Sequence, residues 1–116
     1  MLSLPPRAKI YVFHDTVSFH KQIDGLAAMV RQFMGMDPLS GNYFVFRAKS
    51  RHSARILYFD GSGYCLMTKR LASGVIQNWP QTEKAEYSKI LVRELYDLLW
   101  GEHYDEITKR WMKKAG

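Results

Sequence analysis

The sequence predicts an α+β fold: a mainly antiparallel sheet of about four strands, packed by an amphipathic helix and followed by C-terminal helices. Three observations lead there. Short runs rich in aromatic and β-branched residues recur through the first two thirds of the chain. Between the first two of them, apolar residues return at helical spacing. In the last third, two segments of helical spacing each open with acids, as the helix dipole favours. A chain of 116 residues, 47% of them apolar, buries one core of ordinary size. One globular domain is therefore expected over residues 1–101, with 102–116 as a helical extension.

The first strand is expected at Ile10 to Phe13, after the Pro5-Pro6 pair. Phe19, Ile23, Leu26, Ala27, Val30, Phe33 and Met34 then mark one face of a helix, with Ser18 placed to cap it and Gly35 to stop it. Asp37-Pro38 and Ser40-Gly41-Asn42 are turn chemistry. Tyr43 to Arg47, Ile56 to Asp60 and Tyr64 to Lys69 read as three further strands, the last two joined by a tight Asp60-Gly61-Ser62-Gly63 hairpin. Their nearly continuous apolar runs call for cover on at least one face, with the helix as the cover. Thr82 is placed to cap a helix with Glu83 and Glu86 in its first turn and Tyr87, Ile90, Leu91, Leu95, Leu98 and Leu99 on its apolar face, ending at Gly101. Glu102 to Gly116 places the acids Glu102, Asp105 and Glu106 early and the bases Lys109, Arg110, Lys113 and Lys114 late, and is expected to form a last helix.

No apolar run approaches the roughly 20 residues needed to cross a bilayer. The N-terminal MLSLPPRAKIYVF shows no charged, long-apolar and cleavable pattern of a secretory signal, so a cytoplasmic protein is expected. Cys65, the one cysteine, lies in an apolar run and is expected to be a buried, inert thiol.

Charge is not spread evenly. Tyr43 to Pro80 hold Arg47, Lys49, Arg51, Arg55, Lys69 and Arg70 against the single acid Asp60, so this third carries nearly all of the chain's net +6. A localised excess of one sign attracts polyanions. Arg47 and Arg55 leave adjacent strands at one end of a hairpin, where facing like charges cost a few tenths of a kcal/mol. Lys49 and Arg51 follow Arg47 at intervals of two, on one side if that segment is extended. Phosphate is the usual external counter-ion for such a group, so these four are candidate DNA contacts, with Lys69 or Arg70 at the edge. The competing account is a solvated loop whose cations discourage edge-to-edge association. Trp79-Pro80 offers a stacking plane, although a Trp closing the core is the commoner use.

Catalysis has little support. Asp15, Asp24, Asp37 and Asp60 each have a structural use in a cap, helix or turn, and His14, His20, His52 and His103 lack metal-ligand spacing. DGSG lacks the length and the Lys-Ser/Thr of a phosphate-binding loop. No catalytic residue, metal or cofactor is assigned.

Taken together, IDGLAAMV (Ile23 to Val30, with Asp24 and Gly25), DPLSG (Asp37 to Gly41), FVFR (Phe44 to Arg47), RILYFDGSGY (Arg55 to Tyr64, with Asp60 and Gly61), KRL (Lys69 to Leu71), Gly74 and WP (Trp79-Pro80) resemble the second-frame accessory protein, often labelled TnpB, of bacterial insertion sequences of the type numbered sixty-six. The ordered series at matching spacing, from about Ser3 to Gly101, carries the resemblance. Four positions depart from the family pattern: Ser18, Phe19, His20 and Phe59. Ser18-Phe19-His20-Lys21 stands where the family shows an Asp-Met-Arg-Lys run, and Phe59 replaces a usual Trp. The resemblance implies a non-catalytic factor in DNA transposition beside a separate transposase. The basic hairpin favours DNA, at the element's ends, as a partner. An adapter that docks the transposase without touching DNA is the alternative, and a metal-dependent nuclease fits less well. Oligomeric state and DNA sequence preference are not readable from these residues.

Overall fold

The computed structural model describes residues 3–101. The helix expected over 102–116 lies outside the described residues. Seven elements follow in order: β1 (Ile10–Val17), α1 (Ile23–Phe33), β2 (Tyr43–Ala48), β3 (Ser53–Phe59), β4 (Tyr64–Arg70), β5 (Tyr87–Ile90) and α2 (Val92–Leu99). The five strands form one sheet in the order β4-β3-β2-β1-β5. Pairing is antiparallel except between β1 and β2, which run parallel through the α1 crossover. The α+β class holds, with a mixed sheet of five strands rather than about four.

Strand alternation sends side chains to two cores. Phe44, Phe46 and Leu57 face α1 and pack with Leu26, Ala27 and Val30. Val12, Val45, Ala54 and Ile56 face the other way, against Leu95 and Leu99 of α2 and against Ile76 and Trp79 of the loop after β4. Both faces are covered, which explains why these strands carry so few polar positions. The second cover comes from the chain after β4.

That segment corrects the expected helix from Thr82 onward. Tyr87 to Ile90 join β1 as β5, with Ile10 opposite Ile90 and Phe13 opposite Tyr87. The helical reading placed Leu91 on the apolar face, yet Leu91 is 70% exposed and precedes the helix. The open edge of β1 wins over local helical spacing, because its backbone groups need partners. His14, buried in β1, reinforces the joint. Its Nδ1–H donates to Ala85 O at 2.8 Å, and its Nε2 shares a 2.6 Å hydrogen bond with the Ser88 hydroxyl. Glu94 Oε1 then accepts the Leu91 N–H at 2.9 Å, which anchors the start of α2.

The entry to α1 also differs from expectation. Gln22 is the N-cap residue, with no side-chain cap, while Ser18 shapes a preceding turn: its Oγ accepts the His20 N–H and its carbonyl the Lys21 N–H. Gly35 follows the helix with φ +62, a left-handed stop that favours glycine. Cys65 is half-buried rather than fully buried.

Candidate nucleic-acid interface

The parallel pairing of β1 with β2 gathers three pieces of chain at one end of the sheet. Val17 pairs with Ala48 and Ser53 with Arg70, and Leu71 N–H donates to His52 O. The β2–β3 turn, the end of β4 and the run Ser18 to Lys21 therefore share this end. It carries exposed Lys21, Lys49, Arg51 and Arg70. None of the four meets a carboxylate among the described residues.

Arg47 and Arg55 do not face each other. Phe46 stands opposite Arg55, and Arg47 opposite Ala54, so the two arginines project from opposite faces. Arg47 points into the second core and is only 5% exposed. Its guanidinium carbon lies 5.1 Å from the Trp79 ring centroid, and its Nε has no hydrogen-bond partner. Burial holds the pKa of this guanidinium below its ordinary value; Arg51 pushes the same way and Asp15 opposes both. Trp79, 7% exposed, is a core residue whose Nε1–H donates to Phe13 O at 2.8 Å.

Arg55 lies on the α1 face as a clamp. Its guanidinium carbon is 4.2 Å from the centroid of the Phe19 ring. Its Nη1 donates to Phe19 O at 3.0 Å and Lys21 O at 2.9 Å, and its Nε reaches Thr68 Oγ1 at 3.3 Å. Arg55 thus fixes the turn that presents Lys21. Sequence reasoning assigned Arg47 and Arg55 to a phosphate surface; one is buried and the other is committed to backbone carbonyls.

The turn itself is compact, not extended. Arg51 has φ +65, its N–H donates to Ala48 O, and its carbonyl accepts the Ile76 N–H. The expected one-sided row of Arg47, Lys49 and Arg51 is therefore absent. His52 bonds Gly74 O through Nδ1 at 2.6 Å, tying the turn to the loop after β4. Lys69 and Arg70 diverge as strand geometry requires. Lys69 lies 4.6 Å from the Trp100 ring centroid, with its pKa lowered by burial, and Arg70 stays exposed.

The other motif residues serve local geometry. Asp60 Oδ1 accepts bonds from Ser62 N–H, Ser62 Oγ–H and Gly63 N–H at 2.8 to 2.9 Å. These bonds hold its carboxyl at about 2, below the ordinary 3.8. Gly61 takes φ +101 in the same turn, at the end of the sheet away from the cations. Asp24 is exposed in the first turn of α1, and Pro80 follows Trp79. Gly25 makes room for the Lys21 stem: a Cβ there would lie 3.1 Å from Lys21 Cβ. Sequence reasoning missed Lys21 as a site residue; the signal was its presence in the family run before α1. Among the described residues, no group of three or more His, Cys, Asp or Glu is arranged to hold a metal ion, and no helix is long and apolar enough to cross a membrane.

Comparison with known proteins adds a lineage. A family model described as IS66 Orf2 like protein matches residues 8–109. The uncharacterized protein y4jC of Sinorhizobium fredii is 44% identical over 66 residues, covering 57% of this chain and 56% of that protein. The uncharacterized protein y4hO of the same organism is 43% identical over 83 residues, covering 72% of this chain and 71% of its own length. The match thus spans little more than half of the first relative. No solved structure matches the chain.

Proposed function

Because the chain belongs to the IS66 Orf2-like family of insertion-sequence proteins, we propose that it is a non-catalytic accessory factor in transposition, acting in the cytoplasm beside a separate transposase and binding DNA. The observation that carries this reading is the gathering of exposed Lys21, Lys49, Arg51 and Arg70 at one end of the sheet, with no carboxylate partner among the described residues. A basic surface whose exposed cations form no ion pair among the described residues suits a phosphate backbone, and such contacts position a protein without reading bases. Non-catalytic action is supported by the turn bond that Asp37 Oδ1 accepts from Leu39 N–H and by the three that Asp60 Oδ1 accepts. DNA at the element's ends and the transposase are the proposed partners.

The test is a salt titration of binding to the element's end DNA and to an unrelated duplex of equal length. Four phosphate contacts give a log-log slope of about −4, and Lys49→Ala with Arg51→Ala lowers its magnitude by about 2. Preference for the element's own ends would add recognition. No binding to either duplex at low salt refutes DNA contact and leaves an adapter that docks the transposase.

A further inference from the structure

The two edges of the sheet are built differently. β5 has four residues with exposed Lys89 among them, a short and charged edge of the kind that resists pairing. β4 has seven residues and pairs with β3 from Tyr64 to Arg70 without a bulge. Its centre, Cys65-Leu66-Met67, is apolar and half-buried, and no strand lies beyond it among the described residues. A long, regular edge with an apolar centre is a template for another strand.

Hydrogen-bond alternation identifies the groups that face outward. Asp60 N–H donates to Gly63 O at one end of the β3–β4 ladder, and Leu71 N–H to His52 O at the other. Counting from either end, the backbone groups of Cys65, Met67 and Lys69 face β3, while those of Tyr64, Leu66, Thr68 and Arg70 point away from the sheet. These four lie symmetrically about Met67. The two ends of the edge also differ in charge: ionised Asp60 is in the turn before β4, and Lys69 and Arg70 close the strand.

We propose that β4 is a self-pairing edge at which a second copy of this chain adds antiparallel about a two-fold axis at Met67, joining two five-stranded sheets into one of ten strands. In this register Tyr64 of each copy lies opposite Arg70 of the other, and Leu66 opposite Thr68, so all outward groups find partners. The basic end of each copy meets the acidic turn of its mate, which selects the antiparallel arrangement over a parallel one. The two basic ends then lie at opposite ends of the joined sheet.

The register is tested by oxidative cross-linking. Met67 faces its own copy at a non-hydrogen-bonded pair, where Cα atoms come within about 4.5 Å, inside the range a disulfide spans. In a Cys65→Ser background, Met67→Cys is expected to cross-link to itself rapidly, and Lys89→Cys on the other edge slowly or not at all. Light scattering after size-exclusion chromatography is expected to give the wild type a dimer mass that falls to the monomer on dilution. Thr68→Pro, which removes one outward donor, is expected to be monomeric at the same concentration. A monomeric wild type throughout, or a dimer with equal cross-linking at both edges, overturns the proposal. A folded Thr68→Pro variant that remains dimeric does so as well.

Discussion

Replacing Arg55 with Ala removes the clamp on the turn before α1, and the structure sets the size of the effect. Two charge-assisted bonds to Phe19 O and Lys21 O are lost, at 3.0 and 2.9 Å. At about 1 kcal/mol net each they account for about 2 kcal/mol, reduced by the exposure of the Lys21 contact. The guanidinium over Phe19 adds about 0.5 to 1 kcal/mol at a half-exposed site. The 3.3 Å contact with Thr68 contributes little. The expected loss is about 2 kcal/mol, or about 10 °C in melting temperature for a domain of this size. Denaturant unfolding read by tryptophan fluorescence and far-ultraviolet circular dichroism measures it. Arg55→Lys is expected to suffer only part of the same loss, since an ammonium can still donate to both carbonyls but lays no planar group over Phe19. Lys49→Ala and Arg51→Ala, both at exposed positions, are expected to change stability by less than about 0.5 kcal/mol. If Arg55→Ala costs no more than these, the clamp is not structural. A Phe19→Leu, Arg55→Ala double-mutant cycle with no coupling would likewise refute the stacked arrangement.

Trp79→Phe leaves Phe13 O without its buried donor and loosens the cover over Arg47; a loss of about 1 to 3 kcal/mol is expected in the same unfolding assay. Asp60 has a folded pKa of about 2, depressed from 3.8. The stability it contributes is therefore fully present above pH 4 and disappears as pH falls toward 2. In melting curves across that window, the gap between the wild type and Asp60→Ala is expected to close as the solution is acidified; a gap independent of pH would contradict the turn bonds. Gly25→Ala normally gains about 1 kcal/mol in a helix interior, yet here the new Cβ meets the Lys21 stem at 3.1 Å. The usual rise in melting temperature is expected to be missing and DNA affinity to fall with the displaced lysine, whereas a full gain in stability would mean the stem moves freely.

The sequence revealed what local chemistry decides. The strands β2 to β4, the Asp60-Gly61 turn, the helix with Gly35 at its end and Trp79 in the core all follow from spacing, composition or turn residues. It misled where a distant partner decides. Tyr87 to Ile90 fit a helical face on paper, and the open edge of β1, far earlier in the chain, draws them into the sheet. The arginines show the same limit. Spacing indicated a basic cluster near the β2–β3 turn but not which face each side chain takes. Opposite Ala54, Arg47 goes inward beneath Trp79, and opposite Phe46, Arg55 turns to Phe19. Lys21 joins the basic end only because β1 and β2 run parallel.

The position of β1 between an early neighbour and a late one has a kinetic consequence. The β2–β3 and β3–β4 hairpins form from adjacent chain, whereas β5 must find β1 from more than seventy residues away. During synthesis the second core is only partly covered, by Ile76 and Trp79, until Leu95 and Leu99 clear the ribosome and give Val12, Val45 and Ile56 their α2 cover. Docking of Tyr87 to Leu99 is thus the closing step of folding, and chains that stop short of it leave the outer edge of β1 open to aggregation.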